Sequence, residues 1–257
     1  MDSPAHGYAR VSIALAGTPF SDIAYVDRTD STNADAAALL GDPRHAGTSI
    51  VAEHQTAGRG RRNREWIDVA GSALLVTTIL PFSVPAEGLW AIPFWTGLSV
   101  QVALREAGIN ATLRWPNDLL LNGRKLAGIL CVSRVSAATA WVACGVGVNV
   151  RRPATLPAIE PAPAFCDDAI SVDRAELLQR LLQNYSTSLS LLSHPRSVAE
   201  RWERASGIAG SRYAMLEDGA IEPYEATAIG LSDDGGLTVE RNGTVRTVAL
   251  GDARVLR

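Results

Sequence analysis

The sequence of 257 residues predicts an α+β fold, with a mixed α and β domain over residues 1–206 and a small β-barrel over 207–257. Three observations carry that reading. Apolar spacing alternates between the helix period and the strand period several times before residue 150. Asn122-Gly123 stands between two apolar runs, the strongest short-range hairpin signal, because both central positions of the favoured turn need positive φ. Beyond Gly207, the glycines Gly210, Gly219, Gly230, Gly235, Gly236, Gly243 and Gly251 punctuate short β-rich runs, as in a barrel of about five strands.

Taken in order, Thr32-Asn33-Ala34-Asp35 has the spacing of a capping box and opens an alanine-rich helix to Leu40. Ser49 to Glu53 and Ser72 to Leu80 read as strands, and the Gln55 to Arg64 stretch between them is too rich in Gly and Arg for regular structure. Leu89, Ile92, Trp95, Leu98, Val102 and Ala103 recur at helical spacing, so Glu87 to Ala107 should form one long helix. The Asn122-Gly123 turn places Lys125 at the start of a strand that runs to about Val135. A partner strand follows from Trp141 to Val150, so Cys131 and Cys144 should stand nearly opposite each other, as small buried hydrophobes with inert thiols. Arg152 to Pro163, with Pro153, Pro157 and Pro161, is an irregular connector. Helical periodicity returns from Val172 to Leu192 and again near Ser197 to Ser206.

Composition narrows the function classes. A net charge of −3 argues against a general polyanion binder, whose affinity comes from clustered Lys and Arg neutralising phosphates. Cys131, Cys144 and Cys166 are odd in number and lack C-x-x-C spacing, which suggests neither a disulfide framework nor a zinc ribbon and fits a reducing cytoplasm. No apolar run approaches the roughly 18 residues that span a bilayer, and the residues before Phe20 do not read as a signal peptide or membrane anchor.

Two blocks carry chemistry. Gly58-Arg59-Gly60-Arg61-Arg62-Asn63-Arg64 gathers guanidinium groups in a loop whose glycines let backbone N–H groups face one anion. Alone, such a loop is more often a solvated surface or an RNA contact than part of an active site. Arg114-Trp115-Pro116-Asn117-Asp118, followed after the turn by Lys125-Leu126-Ala127-Gly128-Ile129-Leu130, is more specific. A regular strand carrying Lys125 on one face puts Gly128, three positions on, on the opposite face, where a missing side chain admits a ligand or neighbouring backbone. Asp118 is either a turn residue or a carboxylate aimed at a metal or a substrate ring. Gly145-Val146-Gly147-Val148-Asn149 is no dinucleotide fingerprint, since no glycine-led helix follows, but its small residues would let a nucleotide lie on the sheet. His6, His45, His54 and His194 are scattered and receive no catalytic role.

Together with Ser31-Thr32-Asn33 and Glu53-His54-Gln55-Thr56-Ala57 these blocks, with Arg64 and Trp66, resemble the signature of biotin protein ligases in order and spacing over roughly residues 29 to 150. The resemblance implies a catalytic domain related to class II aminoacyl-tRNA synthetases, with a seven-stranded mixed sheet backed by helices, and an SH3-like C-terminal domain. It implies that Ser31, Thr32, Asn33 and Gln55 contact the ureido ring of biotin, helped by backbone at Arg59 and Gly60, with Gly128 beside them. Lys125 would hold the carboxylate and the phosphate that it attacks, and Arg61 and Arg64 would belong to the loop that closes over the adenylate. Trp66 and Asn149 would lie beside the adenine, Arg114 and Asn117 on the nucleotide side, and Asp118 near Mg²⁺.

Two positions depart from the family pattern. Arg114 stands where lysine is usual before Trp-Pro-Asn-Asp, and the two cations are not equivalent where a point charge must meet a phosphate. Asn63 stands where glycine is common, although Asn tolerates positive φ better than most residues. Some members carry an N-terminal DNA-binding domain, but about 30 residues precede Ser31, so a monofunctional ligase without DNA binding is expected. The resemblance further implies biotin and ATP as substrates, a biotin carboxyl carrier domain as partner, and a monomer or weak homodimer.

That chemistry suits the residues. A carboxylate must approach the α-phosphorus of an anionic nucleotide, and two unit charges about 4 Å apart interact by roughly 4 kcal/mol at an effective dielectric near 20, or about three powers of ten in rate. Three alternatives remain at this stage: a lipoate ligase of the same fold, a biotin-binding regulator without transferase activity, and a nucleic-acid module using the arginine loop, which would leave Lys125 and Gly128 without a purpose.

Overall fold

Alternation along three long strands, interrupted by a bulge in one of them, sets the architecture. In β3 (Ala73–Ile79) every residue is buried, because Leu74 and Val76 enter the main core on one face while Ala73, Leu75 and Ile79 pack on the other. The same division runs through β7 (Arg124–Ser136) and β8 (Thr139–Asn149), where Ala127, Ile129, Cys144, Val146 and Val148 face the main core. The computed structural model describes residues 4–155, 159–217, 222–250 and 253–256. Pro157, Gly219 and Gly251, which served as punctuation above, lie outside the described residues.

Around these strands stand β1 (Ile23–Val26), β2 (Ser49–Ala52), β4 (Val84–Pro85), β5 (Thr112–Arg114) and β6 (Asp118–Leu121). The sheet runs β1-β2-β3-β8-β7-β6-β5, with β4 added beside β8. β1 lies parallel to β2 and the other pairs are antiparallel, which makes the sheet mixed. Its core face is covered by α3 (Ile92–Glu106), α4 (Arg174–Ser188) and α1 (Pro4–Ala14), whose Trp95, Leu104, Leu178, Tyr185 and Val11 are buried in the main core. The opposite face is covered at one end by α2 (Thr32–Leu39), through Ala36, and is otherwise left to the site.

Several expectations need adjustment. α1 and β1 were not foreseen. The single long helix divides into a 3₁₀ turn over Ala86–Ala91 and α3, with Pro93 in the first turn of α3, where its missing N–H costs nothing. The capping box is not formed: Ser31 holds the N-cap position without a side-chain cap bond, and Asp35 instead accepts from the Thr29 hydroxyl at 2.7 Å. The Asn122-Gly123 turn forms, with φ of 51° and 75°, and Cys131 pairs with Cys144.

After α5 (Pro195–Ser206), which ends at the left-handed Gly207, come β9 (Arg212–Glu217), β10 (Tyr224–Leu231), β11 (Leu237–Arg241), β12 (Thr244–Val248) and β13 (Ala253–Leu256). They form an antiparallel sheet in the order β12-β11-β10-β9-β13. Tyr213, Met215, Leu237 and Val239 join the same apolar cluster as the main core. The turn between β5 and β6 is held against this sheet, since Trp115 donates from its indole to the Gly235 carbonyl at 3.1 Å and from its backbone to the Tyr213 hydroxyl at 3.3 Å.

Candidate active site

The uncovered face of the sheet carries a cavity of about 310 Å³, within the usual range for small-molecule sites. At one end lies a polar pocket built from the start of α2. Gln55 accepts at its side-chain oxygen from the Thr32 backbone N–H (2.8 Å) and hydroxyl (3.1 Å). The Thr77 hydroxyl lies 2.8 Å from both the Thr32 hydroxyl and the Asn33 carbonyl oxygen, and the Asn33 amide donates to the Leu130 carbonyl at 3.0 Å. Asn33 lies flat against β8 because residue 145 is glycine, where a Cβ would collide with its amide. Thr77 has no signal in the sequence, since it sits within an apolar run and only the fold brings it to Asn33; Gly145, read in the sequence as a nucleotide-side small residue, instead makes room for Asn33.

The middle of the cavity is floored by paired glycines. Gly128 stands opposite Gly147, and the Trp66 indole lies on both: a Cβ at Gly147 would come 2.7 Å from the ring and one at Gly128 3.1 Å. Among the described residues the buried Trp66 indole N–H has no partner. Gly128 and Lys125 share a face, contrary to the expectation from a regular strand, since a Cβ at Gly128 would also touch the Lys125 Nζ at 3.1 Å. The physical reason is a bulge. Leu119 pairs with Ala127 and Leu120 with Lys125, so Leu126 is an extra residue, and both Leu126 and Ala127 turn into the core.

Lys125 Nζ is 2.8 Å from an Asp118 carboxylate oxygen and 5.5 Å from the Trp66 ring centroid. Burial, with the positive charge of Arg64, pushes the ammonium down to about 8, against the attraction of Asp118. Asn117 and Ile129 exchange hydrogen bonds, side chain to Ile129 carbonyl at 2.7 Å and Ile129 N–H to Asn117 carbonyl at 2.9 Å, which locks the turn carrying Asp118 onto β7.

The arginine loop lines the cavity and is closed on itself by the Trp66 N–H to Gly58 carbonyl bond at 2.9 Å and the Gly60 N–H to Arg64 carbonyl bond at 2.7 Å. Arg62 and Asn63 are left-handed, with φ of 58° and 57°, so the position usually held by glycine does need positive φ. Arg61 is held to the Leu250 carbonyl, and its guanidinium is shifted below its ordinary value by burial and by neighbouring Arg62 and Arg64.

Ser31, Thr32, Asn33, Gln55, Arg59, Gly60, Arg61, Arg64, Trp66, Asn117, Asp118, Lys125, Gly128 and Asn149 thus all line one cavity. Arg114 does not. It donates to the Arg212 carbonyl at 2.9 Å and stacks 3.6 Å from the Tyr213 ring centroid, so its charge serves the C-terminal sheet. Asn149 lines the cavity, but its amide N–H groups are engaged by the Ala164 carbonyl at 3.1 Å and the Lys125 carbonyl at 3.4 Å. Glu65, Asp68, Phe165 and Glu160 also line the cavity and had no signal in the sequence. Among the described residues no cluster of three or more His, Cys, Asp or Glu side chains could hold a resident metal, and no helix is long and apolar enough to cross a membrane.

The Biotin/lipoate A/B protein ligase family matches residues 25–149. Among curated relatives, the biotin--[acetyl-CoA-carboxylase] ligase of Mycobacterium tuberculosis is 30% identical over 94% of this chain and 92% of its own length. That of Paracoccus denitrificans is 40% identical over 52% of this chain and 57% of its own length. Among solved structures, the biotin protein ligase from Aquifex aeolicus in complex with biotin and ATP superimposes with a TM-score of 0.76 at 25% identity, over 93% of this chain and all of that one. With the fold, the cavity and a likeness that runs through almost the whole length of both chains, this chain belongs to the biotin protein ligase family.

Proposed function

We propose that this chain joins biotin to ATP as biotinyl-5'-AMP and transfers the biotinyl group to a lysine of a biotin carboxyl carrier domain. The observation that carries the reading is the convergence of a strand ammonium, a guanidinium loop and an uncharged polar pocket on a single cavity. The polar pocket suits a ureido ring, which offers one carbonyl to a donor such as the Gln55 amide and two N–H groups to the oxygens of Ser31, Thr32 and Asn33. Lys125 and the arginines Arg61 and Arg64 then draw together the carboxylate of biotin and the α-phosphate, so that a carboxylate oxygen attacks phosphorus and pyrophosphate leaves. Trp66 presents a flat ring for the base beside the glycine floor. In the second step an unprotonated lysine amine of the acceptor attacks the acyl carbon and AMP leaves.

Mg²⁺ enters this scheme with the nucleotide. Asp118 offers a single carboxylate, which suits an ion that keeps most of its waters and is held chiefly by phosphates, and the ion would shield their charge. The same reading divides the chain at Ser206/Gly207 into a catalytic portion and an SH3-like module; the left-handed Gly207 that ends α5 supports that boundary.

Intact-mass measurement of a carboxyl carrier domain tests the proposal. Incubation with the protein, biotin and MgATP should add one biotinyl group, and omission of either small molecule should abolish the gain. No gain, or a gain with lipoate in place of biotin, overturns it.

A further inference from the structure

At the foot of the arginine loop lies a buried carboxylate that the chemistry above does not use. Asp68 follows Trp66 by two residues, lines the cavity wall, and has a side chain only 1% exposed. Its Oδ2 is 2.8 Å from His54 Nδ1, and its Oδ1 accepts from the Gln55 backbone N–H at 3.3 Å. His54 and Gln55 leave β2 just where the loop begins, and Asp68 stands where it ends. One carboxylate therefore ties the two stems of the loop together. A buried carboxylate persists only when its oxygens are satisfied, so the contacts are mutually enforcing. The His54 backbone is fixed in turn, its carbonyl accepting from the Thr29 N–H at 3.2 Å.

From this geometry we propose that Asp68, held by His54, is a positioning residue for the biotin end of the site. It acts through Gln55. The Gln55 backbone is held by Asp68 and its side-chain oxygen by Thr32, so the amide is fixed from two sides and presented to the polar pocket. Loss of the carboxylate frees the Gln55 N–H and loosens the loop stem at the biotin side. On the nucleotide side, Asn117 in the turn before β6 is bonded to Ile129 and Asp118 on β6 is paired with Lys125 on β7, so that part of the site is held from the sheet, while Trp66 and the loop arginines share the stem with Gln55. The inference rests on the proposed function for the identity of the ligand, but the clamp itself is made by the chain's own residues.

The test uses the full chain with Asp68→Ala, Asp68→Asn and His54→Ala. In Asp68→Ala the KM for biotin should rise about tenfold or more, as expected for loss of a charge-assisted bond, and by at least about threefold more than the KM for ATP, whose loop contacts loosen while Asn117, Asp118 and Lys125 hold. Hydrogen exchange at the Gln55 amide of the unliganded protein should quicken about tenfold. Asp68→Asn keeps an oxygen for the Gln55 N–H and should stay within about threefold in both readouts, and His54→Ala should give the same split in smaller measure. Unchanged Gln55 exchange in Asp68→Ala, an equal rise in both KM values, or an Asp68→Asn protein as impaired as Asp68→Ala overturns the proposal. If Asp68→Ala does not fold, a His54→Ala protein with wild-type exchange and wild-type biotin KM overturns it. A wild-type protein without adenylation sinks the proposed function instead, while the exchange experiment still decides the clamp.

Discussion

The Lys125 ammonium lies 2.8 Å from the Asp118 carboxylate because one bulge, at Leu126, turns Lys125 onto the same face as Gly128, the residue paired with Asp118. In a regular strand the ammonium and Gly128 would be separated by the sheet. The bulge thus decides whether a cation and a side-chain-free surface meet in one cavity.

Lys125→Ala should therefore abolish most of the adenylation while leaving the fold intact. Loss of one well-placed cation from a partly dry site costs about 10² to 10³ in kcat/KM. Pyrophosphate exchange dependent on biotin measures it; a loss of less than fivefold would remove Lys125 from the chemistry.

The depressed Lys125 titration gives a pH dependence. Burial and Arg64 bring its ammonium to about 8, so the charge is present below that value and lost as pH rises through it. The kcat/KM for adenylation should fall above about pH 8, by about tenfold per unit once the amine is neutral. Bound anions favour the charged form, so the fall in kcat should lie at higher pH. A Lys125→Arg protein that retains activity should lose this limb, because a guanidinium does not titrate there.

Gly147→Ala places a methyl group where a Cβ stands 2.7 Å from the Trp66 ring. The indole must lift off the sheet, and the KM for ATP should rise about tenfold with a change in Trp66 emission. Unaltered nucleotide binding in this variant would mean that the glycine floor serves packing alone.

Arg114→Ala should behave in the opposite manner. Its guanidinium is engaged by the Arg212 carbonyl and the Tyr213 ring, so truncation should cost about 1–2 kcal/mol of stability with the KM for ATP within about threefold. Urea denaturation beside steady-state kinetics separates the two effects.

What the chain determined by itself is local. Asn122-Gly123 fixes a turn, the arginine and glycine spacing of residues 58–64 fixes a loop able to face an anion, and alternation through Ala73–Ile79 and Thr139–Asn149 fixes two buried strands. Turn chemistry and side-chain period are written in neighbouring residues, and for the same reason the resemblance could be read from short blocks. Tertiary structure decided the rest. It assigned Thr32 to Gln55 rather than to a cap, drew Arg114 away to Tyr213, set Thr77 against Asn33, and closed the loop with Asp68. Each of these bonds joins residues far apart along the chain or depends on an unpaired residue such as Leu126, and a buried polar atom bonds to whichever partner the packed sheet brings within reach.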